Sequence, residues 1–434
     1  LKWSIPEHGW EEYLPHEKFE NLISAVRDTT LRSWLHSELL SPVDWIKPSA
    51  QHSDLEYLSA VGNAHLAVKG CGKASNGTII LAMLALLPSH IRLVLCTYQL
   101  YPMNFAACPI PFTRITDVTT YNQSYQLGKN RKQKVVQALS PYTLKSVMTL
   151  PNLRMLHILR PQMEDANWGD TTPESIEDIT LVNPESGHWH IAVPLEQALR
   201  RWLEPVLNLK TFAIHSSWDG KGLYMMNGFL GISDILGPLS TQYHSLEALH
   251  IYVSGGSSNN AHIPEGSLHE FQKLESISIA WHNLVDEQPF LTYQKSWKRA
   301  LPSIKLSDII PPTVKDLRLH VGFETFDVDQ TFGKAGTELL VKFILERIPS
   351  KVLRCIDLVF PQRRKGVEHS ETITSRWIHH IKKICTSHDI QFRVILVDRN
   401  HLSMTSSMPD FAGRNWNYAQ ALLPAFQKVL WRES

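Results

Sequence analysis

The residue groupings that could do chemistry are few, and each falls short of a known arrangement. His215, Ser216 and Asp219 offer a base, a nucleophile and an acid close together in sequence, but no G-x-S-x-G elbow surrounds them and no oxyanion donor is identifiable. Asp219-Gly220 has the chemistry of a turn after a strand. Cys385 and His388, near His379 and His380, could share a helical face as thiolate and imidazole ligands. No second pair is spaced to complete a tetrahedron, and histidines near a helix C-terminus also suit the helix dipole. Val68 to Ser75 approximates a phosphate loop that would need Gly at Ala67 and Ser or Thr at Ala74. The basic runs Lys129 to Lys134 and Arg363 to Lys365 lack the interleaved aromatics on which bases stack. The sequence therefore predicts no catalytic residue, no metal, no cofactor and no nucleic-acid partner, and a hydrolase or metal-dependent enzyme is the minor alternative.

What remains is a periodic surface. Leu150 to Leu159 carries apolar residues at Leu153, Leu156 and Ile158, an L-x-x-L-x-L spacing that suits a short strand with its leucines on one side. Side chains flanking the second and third apolar positions are expected on the other side. His157, His250, Tyr252, Ser278, Arg318, His320 and Asp357 should thus line an exposed, concave binding face. Imidazole, phenol and guanidinium groups on a rigid sheet can pair with acidic or amide groups of a protein partner at little ordering cost. Trp168, Trp218 and Trp281, just beyond strands, are candidate rim anchors.

The elements that position this row repeat along the chain. The spacing returns at Ile176, Ile179, Leu181; Leu209, Phe212, Ile214; Leu246, Leu249, Ile251; Leu274, Ile277, Ile279; Val314, Leu317, Leu319; and Leu353, Ile356, Leu358. A degenerate copy covers Ile91 to Leu95, after a helix expected over 78–87. Between copies, Pro194 to Val206, Gly333 to Ile348 and Thr372 to Ser387 read as amphipathic helices. Residues 98 to 128 read as a long excursion, followed by a helix over roughly Arg131 to Leu139. The expected fold is α/β: an irregular leucine-rich-repeat solenoid, or horseshoe, with parallel concave strands, outer helices and a helical N-terminal cap. Its divisions are 1–76 (cap or remnant adaptor-docking segment), 77–400 (repeats) and 401–434 (loop and capping helix, Asn417 to Trp431).

Size and composition agree with such a chain. A solenoid grows by adding units, so 434 residues can form one elongated domain. A net charge of +1 creates no global field for polyanions or anionic membranes. The five widely spaced cysteines favour free thiols and an intracellular, reducing compartment. Ile79 to Leu87 is about half of the ~20 apolar residues a bilayer helix needs. The chain opens at Leu1 without an initiator Met or signal-peptide pattern, so further residues are expected upstream.

Leu86-Leu87-Pro88 before a strand, Leu150-Pro151-Asn152-Leu153 and Ile310 to Leu319 (I-P-P-T-V-K-D-L-R-L) resemble the irregular leucine-rich repeats of fungal F-box proteins over roughly residues 76 to 400. Leu14-Pro15-His16-Glu17 followed by Leu22-Ile23 is similar to the start of an F-box. Only Leu31-Arg32-Ser33-Trp34 stands near the place of its later Val-Cys-Arg-x-Trp stretch. The resemblance implies a non-catalytic interaction module whose repeats hold a protein substrate, with docking to the Skp1 adaptor of a ubiquitin ligase if an F-box is present. A repeat scaffold without a ligase role is the alternative.

Overall fold

A computed structural model describes residues 29–33, 91–97, 112–113, 115–122, 124–127, 132–135, 147–159, 173–182, 195–216, 232–253, 263, 266–285, 305–321, 332–362 and 371–398. Its strands are β1 (Ile91–Thr97), β2 (Ile115–Asn122), β3 (Ser124–Leu127), β4 (Lys132–Val135), β5 (Met155–Leu159) and β6 (Asp178–Val182). They continue as β7 (Thr211–Ser216), β8 (Ala248–Val253), β9 (Ser276–Ala280), β10 (Asp316–His320), β11 (Cys355–Gln362) and β12 (Gln391–Asp398). Ten of them form one open parallel sheet in the order β1-β2-β5-β6-β7-β8-β9-β10-β11-β12, while β3 and β4 pair as a separate antiparallel hairpin. With helices between its strands, the fold is α/β.

Register follows the leucine spacing. Val118, Leu156, Ile179, Phe212, Leu249, Ile277, Leu317, Ile356 and Phe392 stand side by side on adjacent strands. Two residues on, Ile158, Leu181, Ile214, Ile251, Ile279, Leu319, Leu358 and Val394 form a second such row. All are buried except Phe392 and Val394 on the end strand, which are half-buried. A shift of one residue would turn every leucine to the opposite face, so the pattern itself holds the pairing in place.

The leucine face is backed by α1 (Leu195–Leu203), α2 (Ser233–Leu236), α3 (Trp281–Leu284), α4 (Leu306–Ile309), α5 (Gly333–Arg347) and α6 (Glu371–Ser387). In α1, Leu199, Trp202 and Leu203 enter the core while Glu196 and Arg200 pair at 2.9 Å on its outer side. Buried Gln242 donates from Nε2 to the carbonyls of Leu203 and Val206, meeting acceptors that the end of α1 leaves open. Asp389, at φ 58°, ends α6 in the left-handed conformation, and the N–H of Ile390 donates to the Cys385 carbonyl. Trp281 is buried against Phe332, ring centroids 4.9 Å apart, so it is a core residue and not a rim anchor.

Two expectations are corrected. Residues 132–135 form the strand β4, not part of a helix, and the supposed excursion contains β2 and β3. In β2, Ile115 and Val118 are buried, and the rest of the segment is Thr-rich, so the leucine spacing does not register there. Backing helices are also not uniform: between β8 and β9 the described backing is a single 3-10 turn, Ser267–Glu270. Residues 29–33 are helical, and Leu31 joins the main core. The rest of the expected cap, the helix over 78–87, the phosphate-loop-like stretch, the F-box-like start, Trp168, Trp218 and the C-terminal helix lie outside the described residues.

Candidate functional site

Between the two leucine rows, period-two alternation sends one residue per strand to the other face. His157, Thr180, Ala213, His250, Ser278, Arg318, Asp357 and Arg393 occupy this register from β5 to β12. Five of the expected site residues therefore share one row, and Tyr252 and His320 stand two residues further along β8 and β10. The face was legible in the sequence; its exposure was not. These seven residues keep only 3% (Ser278, Asp357) to 8% (His157) of their surface. Strands ~4.8 Å apart press each side chain against two lateral neighbours, and the charged groups lie across one another instead of reaching into water.

Asp357 is the hub. Arg318 donates to its Oδ2 from Nε at 3.1 Å and Nη2 at 2.7 Å. Arg393 donates from Nε to Oδ1 at 2.6 Å and from Nη2 to Oδ2 at 2.7 Å. Burial alone would raise the Asp357 pKa, but the hydrogen bonds of Arg393 and the charge and hydrogen bonds of Arg318 outweigh it and hold the carboxylate below its usual range. Cys355 donates from Sγ to Oδ1 at 3.5 Å, and burial together with the Asp357 charge pushes its thiol up to about 12. It is a thiol, not a nucleophilic thiolate, at neutral pH. Burial and the neighbouring Asp357 also raise Asp316.

Towards the middle of the sheet the polar groups are less well matched. Ser278 Oγ and His320 Nε2 are hydrogen-bonded at 2.8 Å, and the His320 ring meets Tyr252 edge-on at 5.8 Å. Tyr252, Ala280, Val359 and Ile395 form a small apolar cluster on this face. His157 Nε2 lies 3.5 Å from Asp178 Oδ1 without a hydrogen bond. Thr180 Oγ1, both ring nitrogens of His250, and Arg318 Nη1 are buried and unpartnered. Burial, reinforced by the Arg318 charge, lowers the His250 pKa to about 3, so its imidazole is neutral, one nitrogen a donor and the other an acceptor.

Cys385 and its neighbouring histidines do not assemble. Cys385 is buried and its thiol is pushed up to about 11 by burial, whereas His379, His380 and His388 are exposed. Among the described residues no three His, Cys, Asp or Glu side chains gather as a metal site, and no helix is long and apolar enough to cross a membrane. His215 lies on β7 and Asp219 outside the described residues. No protein-family model and no curated protein matches this chain. The row and its register thus stand on their own geometry.

Thr180, Ala213 and Arg393 were missed, although the same offset marks them: Ile179-Thr180-Leu181, Phe212-Ala213-Ile214 and Phe392-Arg393-Val394. A second missed feature precedes the strands. Arg154, Glu177, Lys210, Glu247, Glu275, Lys315 and Arg354 are linked strand to strand through backbone hydrogen bonds. Lys210 pairs with Glu177 at 3.1 Å and Lys315 with Glu275 at 2.5 Å. Beside them, Asn152, Ser175, Asn208 and Thr313 donate to carbonyls of the preceding unit. Polar residues just ahead of the first leucine position and charged residues just after it were the available signal.

Proposed function

We propose that this protein is a non-catalytic interaction module: an irregular leucine-rich-repeat solenoid whose polar strand face holds a protein partner, resembling the substrate-recognition half of an F-box ubiquitin-ligase receptor. The observation that supports this reading is the one leucine spacing that recurs on successive in-register parallel strands, with the polar row from His157 to Arg393 packed against itself on the opposite face. A solenoid accounts for both the sequential strand order and the recurrence of one spacing in each unit. Its mechanism is positioning. A substrate held on the sheet is brought near a ubiquitin-loaded enzyme at high effective concentration, with no chemistry by the receptor's own side chains.

A scaffold without a ligase role shares the same face and differs only in the adaptor. It is favoured by the departure from the F-box pattern after Leu22-Ile23, where only Leu31-Arg32-Ser33-Trp34 stands near the place of Val-Cys-Arg-x-Trp, and by the burial of Leu31 in the main core. Co-purification with Skp1 separates the two. The receptor form should retain the adaptor and lose it when Leu14, Pro15 and Leu22 are changed together; no association in the unaltered protein leaves the scaffold form.

A further inference from the structure

The polar strand face is closed in by its own side chains, whereas the helix layer carries an open site. The helices α5 and α6 pack side by side, and between them lies a groove of about 470 Å³. Its lining is apolar at the centre, where Val341 and Leu345, one turn apart on α5, meet Trp377 of α6. Leu345 keeps 49% of its surface exposed, and Val341 and Trp377 are half-buried. One exposed leucine is ordinary, but a leucine that joins a valine and a tryptophan around a groove makes a contiguous apolar site. On α5 the groove follows positions i, i+3, i+4 and i+7 from Glu338 to Leu345, about 10 Å of helix. That length matches the apolar stripe of a third helix laid along the two. The two walls differ in charge. The α5 rim alternates in sign through Glu338, Lys342 and Glu346, and Glu338 meets Lys334 only in an exposed pair at 3.7 Å, a contact worth little. By contrast, α6 has no acidic residue between Glu371 and Asp389. His380 stands at its rim, and exposed Lys383 follows one turn further along the same side. An imidazole and an ammonium in line suit carboxylates spaced one turn apart.

We propose that this groove receives an amphipathic helix of a partner protein, its apolar stripe seated on Val341, Leu345 and Trp377 and its acidic flank turned to His380 and Lys383. The site lies on the helix layer and uses no group of the strand face, so its failure would leave the strand-face reading untouched. The probe is a fluorescein-labelled helical peptide with leucines at i, i+3, i+4 and i+7, glutamates along one flank and lysines along the other. A twin carries glutamine in place of each glutamate. Titrated against the full chain and followed by anisotropy, the glutamate form should bind more tightly, by roughly threefold, as exposed ion pairs allow. Leu345→Gln should weaken both forms by roughly tenfold, the loss expected when one leucine no longer seats. His380→Ala with Lys383→Ala should erase the preference for glutamate and leave the affinity of the glutamine twin unchanged. All three side chains are exposed, so melting of the variants should stay that of the unaltered chain. Equal binding of the two forms, or binding retained in Leu345→Gln, overturns the proposal. Sedimentation of the chain alone as a dimer that Leu345→Gln dissociates would make a second copy the occupant, and overturns it too. So does a chain that binds neither peptide, and a lowered melting temperature in Leu345→Gln would then assign the groove to a segment of this same chain.

Discussion

At the scale of single residues, a carboxylate shared by two guanidiniums on a buried sheet face is costly to break, because removing it leaves both cations without a partner. Asp357→Ala should destabilise the protein by about 3–5 kcal/mol in urea unfolding, the range for stranding buried charges. Arg318→Glu would set a second carboxylate against Asp357 and should be no milder, where a solvent-exposed Arg318 would have tolerated the change. His250 gives a pH prediction. Its folded pKa of about 3 lies below the unfolded value near 6.5, so between those limits the unfolded state binds the extra proton. Stability from this group is then complete above about pH 6.5 and is lost as pH falls towards 3, at up to ~1.4 kcal/mol per unit. Unfolding free energies at pH 7, 6 and 5 should fall along that slope in the unaltered protein. In His250→Leu this contribution should disappear, and an unchanged slope would show that His250 is not the neutral, enclosed group described here.

At the scale of elements, the helix α5 shows how tightly the backing layer packs within itself. A Cβ at Gly336 would lie 2.8 Å from Phe332 Cδ2 and 3.1 Å from Trp281 Cζ2, both rings buried and edge-on to each other. Helix propensity favours alanine over glycine by about 1 kcal/mol, but the rings must move to admit it. Gly336→Ala should therefore be destabilising by a net ~1–2 kcal/mol, measured by thermal or urea unfolding; a stabilised variant would mean the rings yield freely. The longer elements were legible in the sequence: α1 and α5 fall where periodic leucines and a leading proline or glycine placed them, α6 falls on the amphipathic span read from Thr372 to Ser387, and β5 to β11 fall on the repeated spacing. The hairpin of β3 and β4 was not, since Lys132-Gln133-Lys134-Val135 is too polar and short for periodicity to tell strand from helix. The site was half legible for a related reason. Alternation fixes which face a side chain takes, whereas burial depends on neighbours that only the sheet brings together.

For the whole molecule, the proposed solenoid would have each strand rest mainly on the next, as in a stack of units, instead of around one closed core. Leu249 sits mid-sheet, 1% exposed, between Phe212 on β7 and Ile277 on β9. Leu249→Asp would forfeit roughly 2–3 kcal/mol of apolar burial and place an ionisable group where no described cation faces it, so a total loss above about 4 kcal/mol is expected. How that loss spreads tests the architecture. Nearest-neighbour stacking confines the damage, because a unit loses stability chiefly through the interfaces it shares. Hydrogen exchange should then show protection lost from β7, β8 and β9 while β11 and β12, joined by the Asp357 to Arg393 bridge and backed by α6, keep theirs. Uniform loss across all ten strands would instead describe a single cooperative α/β core, and the case for independent stacked units would fail with it.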